Sequence, residues 1–319
     1  MLSVFTDFRF PWTVRVSGGV LLLILVLVAV GCSGSRGPAN SSPDPEDGRP
    51  GDAPKVEADP SAPSVPTAPR PVAAPTQPPS ADEYAGVGIH RPAVAQDIVA
   101  RTNRAREARG RASLRQDSTL ARIACWHNQD MLVHDYMGHK DAGRQLPSDR
   151  LAREHRRLIG TVGENVYEGE VGRQGPREWG RSAMEDWLKS PGHRANILRQ
   201  SFTHLGVCAT GQESVLKATQ LFTAVWAYFE TPLPWTLSAG DSLSVAVRPV
   251  KAAGPPAQYA FVPVGESLDQ AFEEEDRGRA YEGTLIVPME TGQYGTRFLF
   301  PVGKKGRYTI LSGPRVTVE

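Results

Sequence analysis

The chain has 319 residues, room for two ordinary domains. Its 36 Lys and Arg stand against 35 Asp and Glu, a formal net charge of +1, so no global field draws it to nucleic acid or to acidic surfaces. With no Lys/Arg stripe interleaved with aromatics and no Gly-rich loop opening a helix, nucleic acid and nucleotides are not expected partners.

Arg9 and Arg15 precede an unbroken apolar run from Val20 to Val30. The run is shorter than the roughly 20 residues a membrane span needs and fits the apolar region of a signal peptide. It ends in Ala29-Val30-Gly31-Cys32-Ser33, which resembles a bacterial lipobox. Residues 1–31 are therefore expected to be a lipoprotein signal peptide, with Cys32 lipidated and holding the chain to a membrane. An ordinary cleaved signal and an uncleaved anchor are the alternatives, and all three export the rest of the chain. From Gly34 to about Pro79 the chain is Pro, Ala, Ser, Gly and Asp with almost no large apolar residue, so residues 32–88 read as a disordered, extended tether. Beyond Cys32 the cysteines are Cys125 and Cys208, which in an oxidising compartment are either a disulfide or two buried thiols.

Pro92 suits the first turn of a helix in which Val94, Ile98, Ala105 and Ala108 recur at helical spacing, with Gly110 placed to end it. Asp117 is expected to cap a second helix that carries Leu120, Ile123, Ala124, His127 and Met131 on one face. Ser148 is expected to cap a short third helix. A fourth spans about Arg177 to Lys189 and stops at Ser190-Pro191-Gly192. Strands are predicted at Leu205–Ala209 and Gln220–Phe229. Helices first and strands afterwards give an α+β domain over residues 89–231. From Pro232 the pattern changes to period two: Leu243/Val245/Val247, Tyr259/Phe261, Leu285/Val287, Phe298/Phe300, Tyr308/Ile310 and Val316/Val318. Residues 232–319 therefore read as a small all-β sandwich with an acidic loop at Glu273–Asp276.

Chemistry concentrates in the α+β domain. His139 lies in Met137-Gly138-His139-Lys140-Asp141 and His193 in Ser190-Pro191-Gly192-His193-Arg194-Ala195-Asn196, both read as polar loops, with Gly163-Glu164-Asn165-Val166 between them. Two imidazoles and a carboxylate converging from separate segments suit a divalent metal such as zinc with an open position, a polar ligand, or a hydrogen-bonded structural network. Asn165 and Asn196 reach the same cleft or stabilise turns. Ser190 adjoins His193 without a Gly-x-Ser-x-Gly elbow, so it is counted as a cleft residue and not as a nucleophile. Arg150 reads as a structural ion-pair partner, with a clamp on an anionic group as the alternative. His127 and His134, seven apart on or just past the second helix, read as core or boundary residues, with a shared ligand as the alternative, and His155 and His204 as structural or exposed. Trp126, Trp179, Trp187 and Trp226 read as core packing.

These pieces resemble the CAP superfamily (SCP domain), in the family's order from about Ala95 to Phe229. They are Ile98-Val99 with Asn103-Arg104-Ala105-Arg106; Leu120 with Ala124; Gly138-His139 with Asp149-Arg150-Leu151; Gly163-Glu164-Asn165-Val166; Trp187 with Ser190 through Leu198; Leu205-Gly206-Val207; and Gln220-Leu221-Phe222. The resemblance implies an α-β-α sandwich with a central cleft carrying two His and two Glu, which in some members holds a divalent metal. His139, Glu164 and His193 match that tetrad. The second Glu does not: the position three after Trp187 is Ser190, and Glu185 falls roughly 200° around the helix from Trp187. The expected function is a lipid-anchored envelope protein that binds a lipid, peptide or surface partner in the His/Glu-lined cleft. The alternative is a zinc-dependent, peptidase-like hydrolase with His139, His193 and Glu164 on the metal.

Overall fold

A computed structural model describes residues 13–16, 20–23, 84, 86–170, 175–250, 254–266, 272, 278–303 and 306–319. Cys32, nearly all of the Pro-rich stretch and the acidic run Glu273–Asp276 lie outside the described residues. Near the N-terminus, β1 (Thr13–Val16) and β2 (Val20–Leu23) pair as an antiparallel hairpin. The rest of the described chain runs in the order β3 (Ile89–His90), α1 (Pro92–Glu107), β4 (Arg115–Gln116), α2 (Ser118–Val133), α3 (Pro147–Glu154), β5 (Leu158–Glu170), α4 (Pro176–Lys189), α5 (Pro191–Leu198), β6 (His204–Gln212) and β7 (Val215–Phe229). It then continues through eight further strands: β8 (Thr236–Leu237), β9 (Ser242–Ser244), β10 (Val247–Pro249), β11 (Gln258–Pro263), β12 (Arg279–Ala280), β13 (Thr284–Ile286), β14 (Gly292–Pro301) and β15 (Tyr308–Val318).

Helix boundaries follow local chemistry. Pro92 occupies the first turn of α1, where its missing N–H costs nothing. Asp117 caps α2 by accepting the Leu120 N–H at 3.0 Å. Ser148 does not cap α3. The helix starts at Pro147, and Asp149 accepts the Leu146 N–H at 2.9 Å. Pro191 stops α4 and at the same time opens α5, so His193 stands on a short helix and not in a loop.

The strands β5, β7 and β6 form the antiparallel centre of the sheet, with β3 on the outer edge of β6. β5 is not among the strands expected from the sequence. In the fold it pairs with β7 from Leu158 to Glu170. Strand alternation sends one set of side chains to each side. One face carries Leu216, Ala218, Phe222 and Ala224 against Val94, Ile98, Ala183, Met184 and Trp187 of α1 and α4. The other carries Leu221 and Val225 against Leu120, Ile123 and Leu151 of α2 and α3. The outcome is helix, sheet, helix. Gly206 permits the tight seat of α2 on β6, because a Cβ there would collide with the backbone of Leu120 and Ala121. A disulfide between Cys125 on α2 and Cys208 on β6 ties the same two elements.

In the C-terminal region the small β9–β13 sheet covers β11, β14 and β15, and Leu285, Val287, Tyr259, Phe261, Phe298, Phe300, Val316 and Val318 fill the space between. Tyr308/Ile310 and Val316/Val318, two alternating runs in the sequence, belong to the single long β15. This region is continuous with the α-β-α layer. β15 meets β5 at Ser312 opposite Gly160, and β10 pairs with the end of β7. Ile159, Ala227 and Phe229 share the C-terminal core. Arg315 donates to Asp149 of α3 at 2.8 Å, and Arg156 donates to the carbonyls of Leu233, Pro234 and Arg315.

Candidate functional site

Alternation along β5 sends Glu164 and Asn165 to opposite faces, and this divides the site into two halves. Glu164 turns toward α2 and α3. Its Oε2 accepts from Arg150 Nη2 at 2.6 Å and its Oε1 from His139 Nδ1 at 2.9 Å, with His127 Nε2 at 3.8 Å behind. Asn165 turns toward α5, where its Nδ2 donates to His193 O at 3.1 Å and to Gln220 Oε1 at 2.9 Å. Asn196 of α5 closes the frame by donating to Glu164 O and Asn165 Oδ1, each at 3.1 Å. Locking α5 onto β5 in this way brings the rings of His139 and His193 to 6.4 Å between centroids at an interplanar angle of 63°. The structure therefore gathers His139, Glu164, His193, Asn165 and Asn196. Ser190 stands at the junction of α4 and α5, where its carbonyl accepts the Arg194 N–H of α5.

The electrostatics fix protonation states. Burial pushes Glu164 toward its neutral form, but the Arg150 guanidinium, with help from His127 and His139, outweighs this and holds the carboxyl at about 2. It is a carboxylate at neutral pH, so it can only accept, and His139 must carry its proton on Nδ1. His139 is the more open partner, its side chain 33% exposed against 2% for Glu164. Burial first, then Arg150, lowers His127 to about 4. It is neutral, and its Nε2–H donates to Gly138 O at 2.8 Å. Burial and the neighbouring His139 also lower His193.

Both oxygens of Glu164 are thus engaged by protein donors, which makes Glu164 an orienter of His139 and not a group facing a cation. Among the described residues, the His/Cys/Asp/Glu side chains whose ligand atoms all lie within 4.8 Å of one another are His90, Cys125 and Cys208, and not the His139, Glu164 and His193 set expected to hold zinc. The latter does not fit a ready-made three-ligand metal site. Arg150 and His127 complete the network behind the cleft. The structural ion pair expected of Arg150 is the geometry found. His127 is core, as expected, and its apolar helical neighbours give no sign of the carboxylate behind it. His134 pairs instead with Asp130, so the two do not share a ligand. His155 and His204 gather around Tyr228 on another part of the sheet. Trp187 is core, and its Nε1 donates to Val166 O at 2.9 Å.

The sequence model of the cysteine-rich secretory protein family (CAP) matches residues 99–226. The YkwD protein of Bacillus subtilis (strain 168) is 34% identical over 110 residues, covering 34% of this chain and 40% of that protein. The membrane protein YlbC of the same organism is 35% identical over 112 residues, covering 35% and 30%. The chain therefore matches well under half the length of either relative. Among solved structures, an extracellular SCP-domain protein from Bacillus anthracis str. Ames is 28% identical, covers 46% of this chain and 44% of its own, and has a TM-score of 0.35.

Proposed function

With residues 99–226 belonging to the CAP superfamily, we propose that the protein is an extracellular binding module, held to the bacterial envelope through Cys32, whose cleft captures a lipid, peptide or surface partner without chemical turnover. The observation that carries this reading is the engagement of both Glu164 oxygens by protein donors. A carboxylate held at about 2, chiefly by Arg150, is a poor proton acceptor at neutral pH, and each of its oxygens already accepts from a protein donor. What the cleft offers a ligand is the partly exposed His139 ring and the half-buried His193 ring, held in place by Asn165 and Asn196, whose amide hydrogens are committed to the frame. These are hydrogen-bonding groups on a rigid frame, suited to fixing a polar head while neighbouring apolar surface takes a tail or side chain. Exposed Met137 and Leu146, in the segment carrying His139, supply such surface.

The test uses a soluble fragment from Ser80 and its His139→Ala and His193→Ala variants. Zinc content is measured alongside binding of a fluorescent fatty acid and of peptidoglycan-derived peptides. Wild type is expected to carry no stoichiometric zinc and to bind one probe class, with at least tenfold weaker binding in both variants. Tight zinc, lost in both variants, would replace this reading with the metal-dependent hydrolase.

Anchoring is checked separately by labelling cells with a fatty-acid analogue. Label is expected on the wild-type chain and absent from Cys32→Ala. Equal labelling of the two defeats the lipoprotein assignment without touching the cleft.

A further inference from the structure

Away from the cleft, at the outer edge of the sheet, His90 of β3 lies over the disulfide. Its Nδ1 is 3.4 Å from Cys208 Sγ and 3.8 Å from Cys125 Sγ. We propose that the dithiol form of this cluster is a zinc site, with Cys125, Cys208 and His90 as its three protein ligands.

Around a tetrahedral zinc with Zn–S of about 2.3 Å and Zn–N of about 2.0–2.1 Å, nitrogen and sulfur ligands stand about 3.6 Å apart. The two N···S distances bracket that value already. Only the sulfurs must separate, to about 3.8 Å, by rotation about their own Cα–Cβ bonds on backbones whose Cα atoms are 5.0 Å apart. Two thiolates and an imidazole form a donor set that suits zinc. Thr210, opposite His90 in the β3–β6 register, places its hydroxyl 3.6 Å from Cys208 Sγ, where it can donate to the thiolate as an outer partner. His90 is exposed and Cys125 half-buried, so the cluster opens to solvent, which supplies a fourth ligand.

The chemistry balances with a dithiol as reductant. Its thiolate attacks the accessible Cys125 Sγ, and Cys208 leaves as a thiolate. The second thiol of the reductant then displaces Cys125, leaving the reductant as a disulfide and the protein with two thiols. Binding one Zn2+ releases the two thiol protons. The cation and the disulfide are mutually exclusive, so zinc holds the cluster open until an oxidant reaches it.

The experiment uses the full chain in detergent, oxidised or reduced with dithiothreitol and desalted under argon. Zinc per chain, affinity by chelator competition, and protection of Cys125 and Cys208 from iodoacetamide are measured with Zn2+ alone. One additional equivalent on reduction, with both cysteines protected, is expected. His90→Ala is expected to weaken it at least tenfold, and Cys125→Ser/Cys208→Ser to abolish it. His139→Ala/His193→Ala is expected to retain it, which separates this site from the cleft. Equal zinc in both redox states, unprotected cysteines, or undiminished affinity in His90→Ala overturns the proposal. Should reduction erase the near-ultraviolet circular dichroism, recovery on adding zinc supports the site and failure to recover overturns it.

Discussion

Replacing Arg150 with methionine is expected to lower the free energy of unfolding by about 3–5 kcal/mol, the cost of leaving one partner of a buried ion pair behind. Both side chains are nearly inaccessible, 3% for Arg150 and 2% for Glu164. The guanidinium also donates from Nη1 to the carbonyls of His139 at 2.9 Å and Gln145 at 3.0 Å, so methionine deprives three acceptors at once. Adding Glu164→Gln should recover part of the loss, because a neutral amide is less costly to bury than an unpaired carboxylate. Urea denaturation of the four proteins in this cycle checks the claim. A loss below about 1 kcal/mol in Arg150→Met would show that the pair is not the pillar of the site.

Acid should destabilise the fold in two stages. His127 is near its ordinary value in the unfolded chain and at about 4 when folded, because burial and Arg150 oppose its charge. Between those values the unfolded chain binds more protons, so stability falls as pH falls, by about 1.4 kcal/mol per pH unit for one such group. His193 and His204, lowered in the same direction chiefly by burial, add to this window. Below about pH 4.5 the carboxylates take over. Glu164 is held at about 2 as described. Asp117 is also at about 2, where burial is outweighed by His155 and by the Leu120 and Thr119 N–H groups at the α2 cap. The stability of a depressed carboxylate is present above its unfolded value and is lost as pH drops through the folded one. Urea midpoints from pH 7 to 2.5 should therefore decline throughout and steepen below 4.5. His127→Gln, which keeps a donor for Gly138 O, should shallow the upper limb and spare the lower. A flat wild-type profile from pH 6.5 to 4.5 would refute the buried neutral imidazole.

The sequence reveals elements whose periodicity expresses burial on one face. The α2 face of Leu120, Ile123, Ala124, His127 and Met131 is buried in full, and Tyr259/Phe261, Leu285/Val287, Phe298/Phe300 and Val316/Val318 fill the C-terminal core, whereas Tyr308 and Ile310 are half-buried and Leu311, next in the strand, takes the core position. It conceals β5, because a strand that carries a site breaks its own pattern: Gly163 and Glu164 are there for close approach and charge, and their β character comes from β7 alongside. It conceals α5 because Pro191-Gly192 reads as a stop, although Pro also suits a first turn. The buried polar residues of α1 are equally silent. Thr102 and Arg106 look solvent-facing by type, yet Thr102 accepts from Gln220 and Arg106 donates to the carbonyls of Ile197 and Arg199, tying α1 to the end of α5. His139, Glu164 and His193 are legible as a set through family resemblance. Their division of labour is not, since it depends on which way each strand residue points.

The meeting of β15 with β5 bears on how the molecule can be dissected. A cut after Phe229 would strip cover from Ile159, Ala227 and Phe229 and remove the Ser312–Gly160 pairing, baring an apolar floor that invites self-association. It would also cost Asp149 its Arg315 partner, one residue from Arg150. The two halves are best regarded as a single cooperative body in which the terminal strands serve as a gasket for the cleft's foundations.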